Sequence, residues 1–564
     1  MDKAKGSKNI FSDIIEIFKN KKAASRILLF FASLAFAVMS LSQIIYYITG
    51  PAEGYFHSDC TDSLYWAEAA VDAGAVFNPD FEYAGLLPFG AQVWLVPLIY
   101  IFGVTMTTHV IGMVIFALLF FASIIFFCRS MGWSYSFSLF TAGSMMMMLS
   151  GSEKMREIMW EHVIYYSLGI MILLVGMALM LRMCRHFERG DDKRGWIYSA
   201  VFLVFMTLGA TNGLQCLAIY TLPMFVAVAA EIVFNSKEKI LSRHNRYNLL
   251  SAFILAVSAA AGLLLLMVLK GDIVAGYANG FSMLESVNSW VNNFHKFPRE
   301  YFILCGVDIA DSAVIGDIQT IFKLIRLVSA VLVLVLPLVL LFNYKKIEER
   351  STKLVLWVHL TVSAVIMFGF VCGRLSAGNW RLIPMVGTGI ISSLAAIRFM
   401  FRAEECALSF RRVAAICLVI PVLCALVNCK EISDMPSDYG RDSENHMLAE
   451  FLLDNGLEYG YAEFWTAQAT TVIADSKVKV RSIEISRKNG ISAYTYQSNI
   501  YWFSDQDGVY EYFIALTGDE YSKASASGQW AELSPHISRE LSCGGFRILV
   551  FGVNPMSIIY EMSE

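Results

Sequence analysis

Residues 27–49 read ILLFFASLAFAVMSLSQIIYYIT, and this uncharged apolar run decides the class of fold. The run is 23 residues long, and a helix needs about 20 apolar residues to cross a bilayer. Similar runs recur along the 564-residue chain, in which 56% of residues are hydrophobic and only 16% are charged. Because a soluble chain needs more charge to cover its surface, the sequence predicts a mainly α, polytopic membrane helix bundle.

The loops between the apolar runs predict the orientation of the chain, because short basic loops stay on the cytoplasmic side. The loops rich in Lys and Arg are 182–195, 235–247, 343–353 and 398–412. This pattern predicts about eleven spans, with the N-terminus inside and the C-terminus outside. After the first run, the predicted spans are 107–128, 136–150, 162–181, 196–210, 213–234, 248–269, 327–342, 354–372, 382–397 and 413–429.

The first outer loop, 50–106, contains no Lys or Arg. Because this loop is predicted to lie outside and Arg129 inside, only one membrane crossing fits between them. We assign that crossing to 107–128. The remaining apolar run, 86–103, is interrupted by prolines and is therefore predicted to lie along the outer surface. Residues 1–26 carry seven Lys and Arg beside an apolar face, which predicts a cytoplasmic amphipathic segment ahead of the transmembrane domain 27–429.

Residues 430–564 have a different composition, with ten Lys and Arg against twenty Asp and Glu. Strand-like runs at 478–485, 510–516 and 546–551, with an amphipathic helix at 443–454, predict a small extracytoplasmic α/β domain. A net charge of −4 without a basic block argues against a nucleic-acid partner. Eleven scattered cysteines without a CxxC pair argue against a disulfide framework.

The first outer loop carries a pair of acidic residues in the stretch YFHSDCTDSLYW, residues 55–66. Asp59 and Asp62 are three residues apart, so on a helix they share one face, which Trp66 continues. Two carboxylates and an aromatic ring beside the membrane suit a polar, ring-shaped substrate. The alternative is that Ser58, Asp59 or Asp62 simply caps a helix over 63–73.

The second outer loop, residues 151–162, reads GSEKMREIMWEH and is dense in ionisable groups. At helical spacing Glu153, Glu157 and Glu161 share a face, and His162 ends the segment. Stacked like charges are unfavourable unless a cation, a proton or a basic partner is present. The alternative is a solvated helix cap in which the loop's own Lys and Arg pair with the acids.

The stretch HSDCTD at 57–62, followed by LPFG at 87–90, resembles the GT-C superfamily of glycosyltransferases. Bacterial protein O-mannosyltransferases, lipid A aminoarabinose transferases and oligosaccharyltransferase catalytic subunits belong to it. The resemblance implies a plasma-membrane enzyme whose site faces outward. It would transfer a hexose or pentose from a polyprenyl-phosphate donor, with inversion, to a glycan, lipid or protein acceptor.

The resemblance also implies roles for particular residues. The catalytic carboxylate would be Asp59, with Asp62 as its neighbour. Acceptor or cation positioning would fall to Trp66, Glu157, Glu161 and His162. The donor phosphate would meet Arg381 and Arg374, because a planar guanidinium can donate two hydrogen bonds to it; the alternative is that both arginines only anchor the chain at the interface, beside Trp380.

Other functions remain open from the sequence. A transporter or flippase of lipid-linked glycans would need ionisable groups at mid-bilayer, and the polar clusters here lie at the ends of predicted spans. A polysaccharide polymerase or ligase would use Arg and His in a late outer loop, and loop 271–318 holds His295 and Arg299. No GxGxxG follows a predicted strand, which disfavours a nucleotide-sugar donor. A divalent cation is an open possibility without an assigned ligand set, and membrane lipids are expected partners.

Overall fold

A computed structural model describes residues 21–235, 243–276, 283–312, 314, 316–402, 408–437, 440 and 442–561. The predicted amphipathic segment 1–26 lies largely outside these residues. The rest forms a mainly α-helical bundle with a small C-terminal sheet domain, which confirms the predicted fold class.

Nine helices within the described ranges are long and apolar enough to cross a membrane. Two other predicted spans, 136–150 and 196–210, are helices Tyr135–Met148 and Asp192–Ala210, the first only 14 residues long and the second charged in its first turn. The predicted total of about eleven and the orientation therefore stay predictions. The nine helices are Ala24–Gly54, Met106–Ser130, Tyr165–Glu188, Leu217–Phe234, Asn245–Lys270, Ile318–Phe342, Arg350–Val371, Asn379–Arg402 and Ser409–Ser433.

Ion pairs gather three of the predicted cytoplasmic loops at one end of the bundle. Arg350 lies 3.1 Å from Glu188. Glu349 accepts from Arg398 at 2.5 Å and also pairs with Arg402. Since these residues come from three separate loops, the loops that the charge pattern assigns to one side do lie together.

Short elements form the opposite end of the bundle. A 3₁₀ turn, Ser58–Thr61, runs directly into helix Asp62–Ala73, whose N-cap residue is Thr61, so the alternative that made Ser58, Asp59 or Asp62 the cap is wrong. Helix Gln92–Phe102 has 11 residues, about half of what a crossing requires. This end also contains the short helices Pro51–Gly54, Glu153–Glu157 and the π-helix Ile158–His162, together with the 18-residue helix Val287–Leu304.

The C-terminal domain is a six-stranded sheet in the order β3-β2-β1-β4-β6-β5. The central strands β2, β1 and β4 run parallel, and the outer strands pair antiparallel. Its strands are β1 Tyr459–Glu463, β2 Lys479–Ser486, β3 Gly490–Ala493, β4 Tyr512–Thr517, β5 Ile537–Cys543 and β6 Phe546–Phe551. Its longer helices are Glu444–Asp454, Phe464–Ile473, Gly518–Ser525 and Pro555–Glu561.

This domain is docked on the first outer loop. The Thr61 hydroxyl donates to the Gln468 side chain at 3.1 Å, and the amide of Ala469 donates to Ser58 Oγ at 3.3 Å. An isolated β-bridge joins Phe81 to Asn499. Helix Phe464–Ile473 and the loop after β3 therefore lie directly against the predicted acidic pair.

Candidate active site

A cavity of about 90 Å³ lies where the first outer loop, the second outer loop and the C-terminal domain meet. It brings together five of the eight predicted site residues: Asp59, Asp62, Trp66, Glu157 and His162. They come from segments about 100 residues apart in the chain, so their convergence is a property of the fold. The cavity is also lined by Ala84, Gly85, Lys154, Ile158, Ile164, Tyr165, Tyr166, Trp380 and Tyr496.

The acidic pair reaches the cavity because the 3₁₀ turn leads into a helix without a break. Asp59 lies in that turn and Asp62 is the first residue of the helix. Burial raises the pKa of Asp59, and the charge of Glu157 adds to this effect while His57 opposes it. Burial also raises the pKa of Asp62, as does the charge of Asp59. The pair therefore resists carrying two negative charges at once.

Glu157 is the ionised carboxylate of the site. Lys154 Nζ donates to its Oε1 at 2.7 Å, and His57 Nε2 lies 3.4 Å from the same oxygen. Burial opposes ionisation, but the contacts with His57 and Lys154 lower the pKa of Glu157 to about 2. Because burial lowers the pKa of His162 to about 3, that ring is neutral near pH 7. The positive charge beside Glu157 then comes from Lys154 and from His57, whose pKa is raised by Glu157 despite burial.

Three side chains at the edge of this network fit a soft divalent cation. Ligand atoms of His57, Cys60 and His162 all lie within 4.8 Å of one another. Both ring nitrogens of His162 and Nδ1 of His57 are buried without a hydrogen-bond partner among the described residues. Imidazole and thiolate ligands suit Zn²⁺. The pKa of Cys60 is raised by burial, so binding would have to displace the thiol proton.

Glu161 is buried but does not line this cavity. It accepts a hydrogen bond from the Tyr47 hydroxyl and lies 3.6 Å from the Cys60 sulfur. Burial raises its pKa to about 7. Glu157 belongs to the short α-helix Glu153–Glu157 and Glu161 to the π-helix Ile158–His162 that follows it, so the segment is not the unbroken α-helix that the spacing assumed.

Neither of the two predicted arginines lines the cavity. Trp380 lines the cavity, and the guanidinium of the next residue, Arg381, lies 5.5 Å from the centre of its ring. Arg381 is buried and donates to the carbonyl oxygen of Arg374 at 3.0 Å. Arg374 is more exposed and pairs with Glu285 at 3.0 Å. Their role in binding a donor phosphate stays a prediction.

The sequence did not single out the three tyrosines of the lining, Tyr165, Tyr166 and Tyr496. Tyr165 and Tyr166 open the helix that follows Val163, which has the left-handed φ of 46°. Gly85 admits the Tyr165 hydroxyl, since a Cβ there would lie 1.8 Å from it. Tyr496 reaches the cavity from the C-terminal domain. An adjacent tyrosine pair after a polar loop was the available signal for the first two; Tyr496 offered none.

The fold of the chain is similar to that of solved GT-C glycosyltransferases, which confirms the predicted resemblance in fold. No family profile and no curated protein sequence matches the chain. Among solved structures the chain is similar to ArnT, a lipid A aminoarabinose transferase, from Cupriavidus metallidurans.

The likeness to ArnT extends over nearly the whole chain. Its complex with undecaprenyl phosphate aligns at a TM-score of 0.52 and 12% identity, over 95% of this chain and 99% of that one. Its apo state aligns at a TM-score of 0.53, with the same identity and coverage. The Archaeoglobus fulgidus oligosaccharyltransferase tethered to an acceptor peptide aligns at 0.44 and 10% identity, over 91% of this chain and 74% of that one.

Proposed function

We propose that this protein is a membrane glycosyltransferase that moves a sugar from a polyprenyl-phosphate donor to a cell-envelope acceptor at the outer face. The single observation that carries the proposal is the cavity at which Asp59, Asp62 and the Lys154–Glu157 pair meet beside the membrane-spanning helices. A lipid-linked donor can leave its chain in the bilayer while its headgroup enters such a cavity. The ArnT structure with undecaprenyl phosphate supports this choice of donor.

Asp59 is the proposed general base. Its carboxylate would take the proton of the acceptor hydroxyl while the hydroxyl oxygen attacks the anomeric carbon. A carboxylate whose pKa is raised by burial is a stronger base than an exposed one, which favours this role. Direct attack opposite the leaving phosphate would invert the anomeric centre. Asp62, kept from ionising beside Asp59, would orient the acceptor.

The leaving phosphate needs positive charge on its side of the cavity. Lys154 lines the cavity, and its ammonium nitrogen lies 5.3 Å from the centre of the Trp380 ring. Arg381 lies at the same indole. We therefore propose that Lys154 and Arg381 together receive the phosphate, with Arg374 holding the backbone to which Arg381 donates.

A divalent cation held by His57, Cys60 and His162 would supply Lewis-acid stabilisation of charge at the edge of the cavity. The remaining steps depend on side chains of the chain itself. Glu157 holds Lys154 and His57 in place, and Trp66 and the tyrosines offer flat apolar surface to a sugar ring.

Substituting the proposed base tests the function. The Asp59→Asn variant keeps the size of the side chain but removes the proton acceptor, so transfer from a polyprenyl-phosphate sugar should fall by about 100-fold or more. The measurement is sugar transfer by purified protein in liposomes. Asp72→Asn is the matched control, because Asp72 is exposed on the same loop helix. Equal activity of Asp59→Asn and wild type would remove Asp59 as the base, and an inactive wild type across such donors would remove the proposed function.

A further inference from the structure

Gln497 is a fully buried side chain that belongs to the C-terminal domain and lies against the first outer loop. Its backbone is held on both sides. The amide donates to the Glu82 carbonyl at 2.9 Å, and its own carbonyl accepts from Gln468 Nε2 at 2.6 Å. Its φ of 57° lies in the left-handed region, and such strain in a non-glycine residue persists only where the surroundings enforce it.

The orientation of the Gln497 side-chain amide follows from its partners. Trp66 Nε1 donates to Oε1 at 2.6 Å, and the backbone amide of Ala84 donates to the same oxygen at 3.3 Å. Both partners are donors, so only the carbonyl oxygen can face them. The NH₂ group must therefore point the other way.

Asp62 lies one helical turn before Trp66 on helix Asp62–Ala73, so its carboxyl group is on the helix face that Gln497 contacts through Trp66. Gln497 Nε2 and Asp62 Oδ1 are both buried, and within the described part of the chain neither has a hydrogen bond of ordinary geometry. Two buried, complementary groups without other partners gain by pairing with each other.

We infer that Gln497 is a positioning residue, which ties Trp66 and Asp62 together and so fixes both against the cavity. The inference rests on the proposed function for what the cavity does. It adds that the C-terminal domain completes the site, since Tyr496 forms part of the wall and Gln497 sets the geometry behind it. Asp59, Lys154, Glu157 and His162, the other ionisable side chains around the cavity, come from the two outer loops.

The kinetic test compares two variants of Gln497 in the full-length protein. Gln497→Leu removes both polar groups, whereas Gln497→Glu keeps an acceptor for Trp66 and replaces the donor facing Asp62. Misplaced reacting groups lower the rate of the chemical step, so kcat should fall about tenfold or more while the donor KM changes less than about twofold. Gln319→Glu is the matched control, because Gln319 is exposed on another helix.

A second variant shows whether the link to Trp66 matters. Trp66→Phe removes the N–H that orients the amide of Gln497. If both residues act through one link, the loss in the double variant with Gln497→Leu is smaller than the product of the single losses. If the loss in the double variant equals the product of the two single losses, the inference is contradicted. An unchanged kcat in both Gln497 variants would also contradict it.

Chemical labelling of Asp62 tests the inference independently of transfer. The probe is a small carbodiimide with an amine, applied at one fixed pH and read at Asp62 by peptide mass spectrometry. Gln497→Leu should change the labelling rate of Asp62 at least about threefold while the thermal unfolding temperature stays near that of wild type. An unchanged rate in stably folded Gln497→Leu and Gln497→Glu overturns the inference, whether or not the wild type transfers sugar. A changed rate with an inactive wild type keeps the inference and rejects the proposed function.

Discussion

At the scale of single residues, the best-defined feature is the charge balance around Glu157. Its carboxylate is largely enclosed, yet two basic groups keep it ionised. Lys154 Nζ lies 2.5 Å from Oε2, and His57 Nε2 lies 3.4 Å from Oε1. An ion pair that is shielded from water on one side contributes more than an exposed pair. The Glu157 carboxylate therefore holds the Lys154 ammonium group in place at the cavity.

The pKa of Glu157 predicts how stability depends on pH. Its pKa is lowered from 4.5 to about 2 in the folded protein. A lowered carboxyl pKa stabilises the fold above the unfolded value, and this contribution is lost as the pH falls from about 4.5 towards 2. Glu157→Gln should therefore unfold at a lower temperature than wild type at pH 7. The corresponding loss in the free energy of unfolding is about 1–3 kcal/mol, and it should become smaller below about pH 4.

The measurement is thermal unfolding in detergent from pH 3 to pH 7. Glu153→Gln is the control, since Glu153 is exposed one turn earlier on the same short helix. A deficit of constant size across this range would show that the loss comes from packing and not from charge.

Local spacing in the sequence was enough to name several residues that line the cavity. Asp59, Asp62 and Trp66 follow from spacing within one loop, and their convergence on a cavity agrees with it. Gln497 could not be predicted, because its contact with Trp66 joins positions 431 residues apart. Long-range pairing of this kind is decided by how two domains dock, and a single sequence carries no periodic signal for it.

At the scale of elements, two glycines let helix Val287–Leu304 approach the second outer loop. A Cβ on Gly306 would lie 2.0 Å from the Gly151 carbonyl oxygen, and one on Gly151 would lie 2.9 Å from the Cys305 oxygen. Gly306 also has a φ of 86°. Since both obstacles are backbone atoms, a side chain here would have to push the two segments apart.

Gly306→Ala should therefore destabilise the protein, by about 2 kcal/mol or more. The reason is the combination of a left-handed φ and contact with backbone. Gly518→Ala is the control, because a Cβ there meets nothing within 4 Å. Thermal unfolding of the two variants is the measurement, and equal unfolding temperatures would contradict the tight contact.

Element boundaries were predicted best where the apolar pattern is long. Runs 107–128 and 248–269 correspond to helices Met106–Ser130 and Arg243–Lys270. The π-helix after Glu157 was not predictable from helical spacing, because that spacing assumes an unbroken α-helix.

At the scale of the whole molecule, the two ends of the helix bundle carry different features. One end holds the ion pairs of Glu349 with Arg398 and Arg402, and the other holds the cavity and the C-terminal domain. We expect the first end in the cytoplasm and the second outside, as the basic loops predict.

Cysteine labelling tests this orientation. Lys193→Cys lies in a basic loop and Asp519→Cys in the C-terminal domain, and both positions are exposed. A membrane-impermeant maleimide applied to intact cells should label Asp519→Cys and leave Lys193→Cys unlabelled until the membrane is opened. Labelling in the reverse order would place the cavity in the cytoplasm and reject a donor presented at the outer face.

The docking of the last domain on the first loop also has a consequence for how the protein is made. The acidic pair is translated early, but one wall of its cavity and the amide behind Trp66 come from residues 496 and 497. A chain that ends before residue 496 therefore lacks part of the cavity wall and the amide that Trp66 contacts. The candidate site is therefore complete only after the C-terminal domain has been translated and has docked on the first outer loop.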